Sequence, residues 1–169
     1  MGADVYLNSL YEKTRDYYQP LFDEAVRKRD TLMLKLNDGR PTNENFNHPE
    51  VKKLQEKVSE YYNLMNSEGY FRDSYNATSL LWVLGLSWWS DVGDMLNKKG
   101  ELSITKTKKF WKMIKDRPVT IEAVQKAMGE HQLQDTADEW FEYWVEKRQR
   151  LIELLELSIE LKEPLIFSV

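Results

Sequence analysis

Trp140-Phe141-Glu142-Tyr143-Trp144-Val145-Glu146-Lys147-Arg148-Gln149-Arg150-Leu151-Ile152-Glu153-Leu154-Leu155-Glu156-Leu157-Ser158-Ile159-Glu160-Leu161 is the stretch whose reading decides the fold class. Its apolar residues recur at helical spacing, and Thr136 with Glu139 three residues on gives it a capping-box start. The spacing predicts one long helix from Ala137 to about Lys162, stopped by Pro164. Trp140, Phe141, Trp144, Val145, Leu151, Ile152, Leu154, Leu155, Leu157, Ile159 and Leu161 cover more of its circumference than one stripe. Such a helix lies at the centre of a bundle or is shared with a second subunit.

Working outward, the rest of the chain also reads as helices. Ser9 and Glu12 form a capping box, followed by Leu10, Tyr17, Tyr18, Leu21 and Ala25, with a kink or break expected at Pro20. Asp38 to Asn43 is the clearest loop, and His48-Pro49-Glu50 restarts a helix that Gly69 should end. A compact apolar helix is expected from Asn76 or Thr78 to about Gly85, and another from Trp88 to Leu96 capped by Ser87. Ser103 or Thr105 opens the next, stopped by Arg117-Pro118, and Thr120 caps a short helix through Met128. Only Ala3–Leu7 and Leu165–Val169 are β-rich, and two terminal segments can pair. The expected architecture is therefore all-α: a single domain over 1–169, a bundle of about five to seven helices, with a short two-stranded β-pair formed by the termini.

Composition agrees with that build. The chain has 169 residues, few Gly (7) and Pro (5), and an aromatic complement of six Trp, nine Tyr and six Phe. Scarce turn residues argue against a β-sandwich and against low-complexity disorder. With no Cys, disulfides, thiolate nucleophiles and Cys-based metal sites are excluded. The formal net charge is −4, so the molecule as a whole is no polyanion binder. The apolar run Leu80–Leu86 is too short to span a bilayer about 30 Å thick, and the start of the sequence has no signal-peptide pattern. A cytoplasmic location is the expectation.

Chemistry concentrates between Gly69 and Asp91. Six ring side chains (Tyr70, Phe71, Tyr75, Trp82, Trp88, Trp89) surround Arg72, Asp73, Ser74 and Asn76. Arg72 offers a planar fork of donors, Tyr75 and Asn76 offer directional hydrogen bonds, and Trp faces can cover an apolar or cationic ligand. The candidate ligand site is accordingly Arg72, Asp73, Tyr75, Asn76, Trp82, Trp88, Trp89 and Asp91. The competing reading is scaffolding: a braced loop, a helix cap and core tryptophans, and it is the stronger of the two. Were the chain an enzyme, Asp73 or Asp91 would be its base, raised by aromatic burial; no catalytic motif supports that, and a non-enzyme is preferred.

The run Lys98 to Arg117 holds eight basic and two acidic residues, and Asp135 to Glu163 holds nine acidic and four basic ones. Phe110 and Trp111 fall opposite Lys108, Lys112 and Lys115, so a solvated face, or one neutralised by the last helix, outweighs nucleic-acid binding. His48 and His131 have no second ligand at helical spacing, and no metal or cofactor is expected; the carboxylate pairs Glu153/Glu156 and Asp91/Asp94 fit exposed helix faces. Function is expected to be interaction with a protein partner or with a second copy, the wide apolar helix being the motive. The alternative is a small-molecule site built from Gly69–Asp91.

Overall fold

The computed structural model describes residues 2–39, 45–74, 79–128 and 137–168. They form two units, one made of 1–8 and 69–169, the other of 9–68.

The second unit is a helical hairpin. Helix α1 spans Asn8–Leu36 and helix α2 spans Pro49–Met65. His48 is the N-cap of α2, its Nδ1 accepting the Glu50 N–H at 3.3 Å, and Pro49 occupies the first turn, where its missing N–H costs nothing. Side-chain contacts fix an antiparallel register. The Thr14 hydroxyl donates to the Met65 carbonyl at 3.1 Å, Phe22 and Tyr62 rings lie 6.3 Å apart, and Arg29 donates to Gln55 at 2.7 Å. The break expected at Pro20 does not occur, for α1 continues through it. A proline in mid-helix costs about 3 kcal/mol; the contacts to α2 at Thr14 and Phe22 lie on either side of Pro20 and help keep the helix continuous.

The first unit is built around a sheet with strand order β2-β1-β4-β3, antiparallel throughout. Its strands are β1 (Gly2–Tyr6), β2 (Tyr70–Ser74), β3 (Glu101–Leu102) and β4 (Leu165–Ser168). The terminal pairing read from the sequence is present, with Val5 opposite Phe167, but it forms the middle of a four-stranded sheet. The chain is thus mostly helical with a small antiparallel sheet, and the all-α expectation is corrected to that extent. The two outer strands escaped notice for different reasons. Tyr70–Ser74 reads as a polar loop because its buried face carries a carboxylate, and β3 has only two residues. Gly100, just before β3, has φ +75°, and a Cβ there would lie 2.8 Å from the Phe167 carbonyl. Glycine alone lets the backbone approach that closely.

The remaining helices of this unit are α3 (Leu80–Val83), α4 (Ile104–Lys115), α5 (Ile121–Met128) and α6 (Ala137–Leu161), of which α6 packs on β2. Ser79 caps the short α3, its hydroxyl accepting the Trp82 N–H at 3.2 Å, and the starts expected at Asn76 or Thr78 lie outside the described residues. The helix expected over 88–96 is instead a wide π-type turn at Trp88–Val92 and a tight turn at Gly93–Met95. Asp91 reaches back to accept the Ser87 N–H at 2.7 Å, closing that wide turn. Thr120 accepts the Ala123 N–H at 3.1 Å and so caps α5 as read from the sequence.

Helix α6 is central, packing on α3, α4, α5 and β2. Trp144, Leu151, Ile152, Leu154 and Leu155 are buried, which accounts for part of its wide apolar circumference within one chain, while Val145 and Leu161 are exposed. The buried Trp88 ring lies 6.5 Å from Phe71, 6.1 Å from Phe110 and 6.0 Å from Phe167. Among the described residues no helix is long and apolar enough to cross a membrane.

Alternation along β4 sends Leu165 and Phe167 into the core and Ile166 to the other face. Leu165→Ala should therefore lower unfolding free energy by about 2–5 kcal/mol in urea titration. Ile166→Ala should cost clearly less, and equal costs would contradict the assignment of faces.

Candidate functional site

Two neighbouring residues of β2 point to opposite faces of the sheet. Arg72 lies on the exposed face, where its Nε is 3.6 Å from Asp4 on β1 and Tyr70 donates to the same carboxylate. Asp73 turns inward beside Phe71 and its side chain has no solvent exposure. Arg72 and Asp73 therefore cannot serve one cavity, as the sequence reading required.

A carboxylate without solvent needs donors in place of water. Asp73 has four. The backbone N–H groups of Leu80 and Leu81, at the start of α3, lie 3.1 and 3.4 Å away, and Trp88 Nε1 donates at 2.9 Å. The fourth is the Lys147 ammonium of α6, 2.9 Å from Oδ1 and itself only 15% exposed. That ammonium also lies 5.1 Å from the Trp144 ring centre and 5.5 Å from that of Tyr143, and donates to the Tyr143 hydroxyl at 3.3 Å. One carboxylate thus joins a strand, a helix start, the wide turn and the central helix. Its lone pairs are engaged, so its chemistry is that of a support.

Lys147 escaped the sequence reading although a signal was present. It lies three residues after Trp144 and four before Leu151, on the buried line of α6. A cation on an apolar stripe implies a buried anion. Arg148, beside it, is a second such case. Its Nε donates to the Arg117 carbonyl at 2.9 Å and its Nη2 to those of Ile114 and Lys115 at 3.0 and 3.1 Å. Those are carbonyls at and just beyond the end of α4, where helical i to i−4 pairing runs out. Trp140 and Trp144 keep buried indole N–H groups without an acceptor among the described residues.

A concave feature lies between α3 and α5. A groove of about 650 Å³, open to solvent, is lined by Trp82, Leu84, Pro118, Ala123 and Ala127. Asp91, Asp116, Arg117 and Lys126 supply its polar edges. Gly85, with φ +67°, turns the chain after α3 along this wall. Trp82 is 55% exposed and Ile121, on α5, 43%. Arg117 keeps one fork nitrogen on the Met113 carbonyl at 3.0 Å, and Asp91 is committed to Ser87.

Of the eight residues expected to form a site, the groove takes Trp82 and Asp91. Trp88 is core, Trp89 is exposed outside the groove lining, Arg72 and Asp73 serve the sheet and the core, and Tyr75 and Asn76 lie outside the described residues. The groove's far wall, Pro118 to Ala127, was missed because nothing in its composition departs from a capped surface helix. His131 also lies outside the described residues, and among the described ones no three metal-ligating side chains come together.

Helix α4 meets α6 through a second polar contact. Trp111 Nε1 donates to Glu156 at 3.0 Å and Lys115 lies 3.3 Å from the same oxygen. The indole hydrogen bond, then the Lys115 charge, hold the Glu156 carboxyl below its ordinary value.

Two predictions follow from these contacts. Asp73→Asn leaves the Lys147 ammonium buried without its anion and should cost about 3–5 kcal/mol by chemical denaturation. Adding Lys147→Met should recover a large part of that loss, so the two changes must be strongly non-additive. At Glu156 the folded carboxyl is the more acidic, so its stabilisation is present above the unfolded value of about 4.3 and fades as pH falls through the lowered one. Melting curves of wild type and Glu156→Gln should differ slightly at neutral pH and converge in acid.

No protein-family model, curated protein or solved structure matches this chain, so what the groove does is argued from its own side chains.

Proposed function

We propose that the chain is a non-enzymatic, cytoplasmic binding module that docks a segment of a partner protein in the groove between α3 and α5. The observation that carries this reading is Trp82, a large ring more than half exposed at the edge of an apolar groove. Tryptophan and arginine dominate the energetics of protein interfaces, and Trp82 and Arg117 line the same groove. Its volume falls within the roughly 300–1,000 Å³ of ligand pockets, but it is open, and a small ligand is ordinarily enclosed over 70–90% of its surface. An open groove flanked by exposed Trp82 and Ile121 suits a chain better than a compact molecule. Nothing lining it pairs a nucleophile with a base, which favours binding over catalysis.

A partner chain is favoured over a second copy. The wide apolar face of α6 was the reason to expect self-association, and its central part, Trp144, Leu151, Ile152, Leu154 and Leu155, is buried within the chain, leaving Val145 and Leu161 exposed.

Small apolar fragments report such docking sites directly. Titrated into isotope-labelled protein, indole- and phenyl-bearing fragments should shift the amide resonances of Leu84–Ser87 and Ala123–Ala127. Ala123→Trp, which fills the groove from α5, should abolish those shifts while leaving the spectrum folded. Fragments that bind elsewhere, or bind the variant equally well, would remove the groove from consideration; enclosed millimolar-to-micromolar binding of one fragment alone would favour the small-molecule reading.

A further inference from the structure

The sequence reading set the basic run Lys98–Arg117 against the acidic last helix, expecting one to neutralise the other. Geometry delivers that for one lysine. Lys115 meets Glu156, whereas Lys106, Lys108, Lys109 and Lys112 are exposed and have no ion pair or hydrogen bond to a described residue. Lys98 and Lys99, in the turn before β3, are equally exposed and unpaired among the described residues. Positions 108 and 112 are one turn apart, so their like charges repel. The helix that carries them is rigidly seated: Thr107, Phe110 and Ile114 are fully buried, and Arg148 holds its last carbonyls. The cations are therefore presented at fixed spacing.

Lys108 and Lys112 share a face of α4, and the chain that follows the helix enters the groove. From Lys106 to Lys115 the axis advances about 1.5 Å per residue, about 14 Å in all. Asp116 and Arg117, which follow at once, line the groove. We infer that the partner segment is acidic, lying along the lysines of α4 and placing an apolar side chain in the groove. The inference rests on the docking reading above and specifies its occupant.

Charge alone would admit a nucleic acid as well, and the rings decide against it. Strand-tracking surfaces place aromatic faces among their cations for bases to stack on. Here Phe110 is fully buried, and Trp111 gives its N–H to Glu156 with the Lys115 ammonium 5.4 Å from its ring centre. What accompanies the lysines is an apolar groove, a receptor for a side chain. Complementary charge of this kind speeds encounter and makes it salt-dependent.

Selection from a random twelve-residue peptide library against the intact protein tests the assignment. The expected winners carry several Asp or Glu beside one aromatic or aliphatic residue. A fluorescein-labelled winner should bind at least tenfold more weakly in 300 mM than in 50 mM salt, and at least tenfold more weakly to Lys108→Glu/Lys109→Glu/Lys112→Glu, a surface variant whose melting should be unchanged. Ala123→Trp should also abolish binding. Winners blocked by Ala123→Trp but indifferent to the lysines and poor in acids would overturn the acidic partner and leave the groove reading standing. Winners that need the lysines but ignore Ala123→Trp would overturn the groove as well. Oligothymidylate binding more tightly than any winner, and lost in the lysine variant, would replace the peptide with nucleic acid. An empty selection overturns the acidic partner, with fragment binding still the separate measure of the groove.

Discussion

Asp73 places a full negative charge where solvent does not reach, and the first unit is arranged so that this is tolerable. Transfer of an unpaired carboxylate from water into a protein interior costs several kcal/mol at least, comparable with the whole stability of a domain. The cost is offset only if donors arrive together from elements far apart in sequence. Here they come from the start of α3, from the Trp88 indole and from Lys147 on α6. An arrangement that leaves any of the three away from β2 strands a charge. Burial of leucines and phenylalanines drives collapse without preference for one register; the carboxylate supplies the preference, because only one register brings its donors within reach.

The sheet follows the same logic at larger scale. Its middle strands are the two ends of the sequence, so their pairing closes the unit's longest possible loop before it gains any hydrogen bond. Local contacts cannot direct that step. Helix α6 can, since it runs into β4 through the left-handed Lys162, and the Ser158 hydroxyl and N–H-accepting carbonyl close the turn against Glu163. With α6 anchored to β2 through Lys147 and Asp73, β4 is delivered next to β1, which pairs with β2 on its other side.

How much of this the sequence disclosed depends on whether a feature is periodic. The long final helix, the caps at Ser87 and Thr120, and the paired termini are local patterns, and each was legible; the restart near His48-Pro49 was legible too, with His48 itself as the cap. Pro20 misled because propensity is a local quantity and the packing against α2 that overrides it is not. Strand β2 was hidden by its own function: Asp73 on the inward face makes a buried strand look like a polar loop. Of the site, Trp82 and Asp91 stood out as parts of an aromatic, polar cluster, yet the wall opposite them is folded in from 116–127 and has no pattern of its own. Sequence spacing reports which residues share a face, and a groove between two elements is a property of neither.

The tryptophans show why exposure rather than abundance is the informative quantity. Six in one small chain suggest a core, and Trp88 and Trp144 are core, with 7% and 2% of their surface exposed. Each Trp removes about 150–250 Å² from water when buried, worth several kcal/mol at about 25 cal/mol per Å². Trp82 and Trp89, at 55% and 61% exposed, forgo more than half of that while Trp88, next to Trp89 in sequence, obtains nearly all of it. Stability alone gives no reason to keep such rings at the surface, where a smaller polar side chain would serve the folded chain equally well. The same holds for the lysines of α4, whose mutual repulsion the fold leaves uncompensated although acids are plentiful in α6. The segment we propose, acidic and apolar at once, would cover Trp82 and face the α4 lysines together.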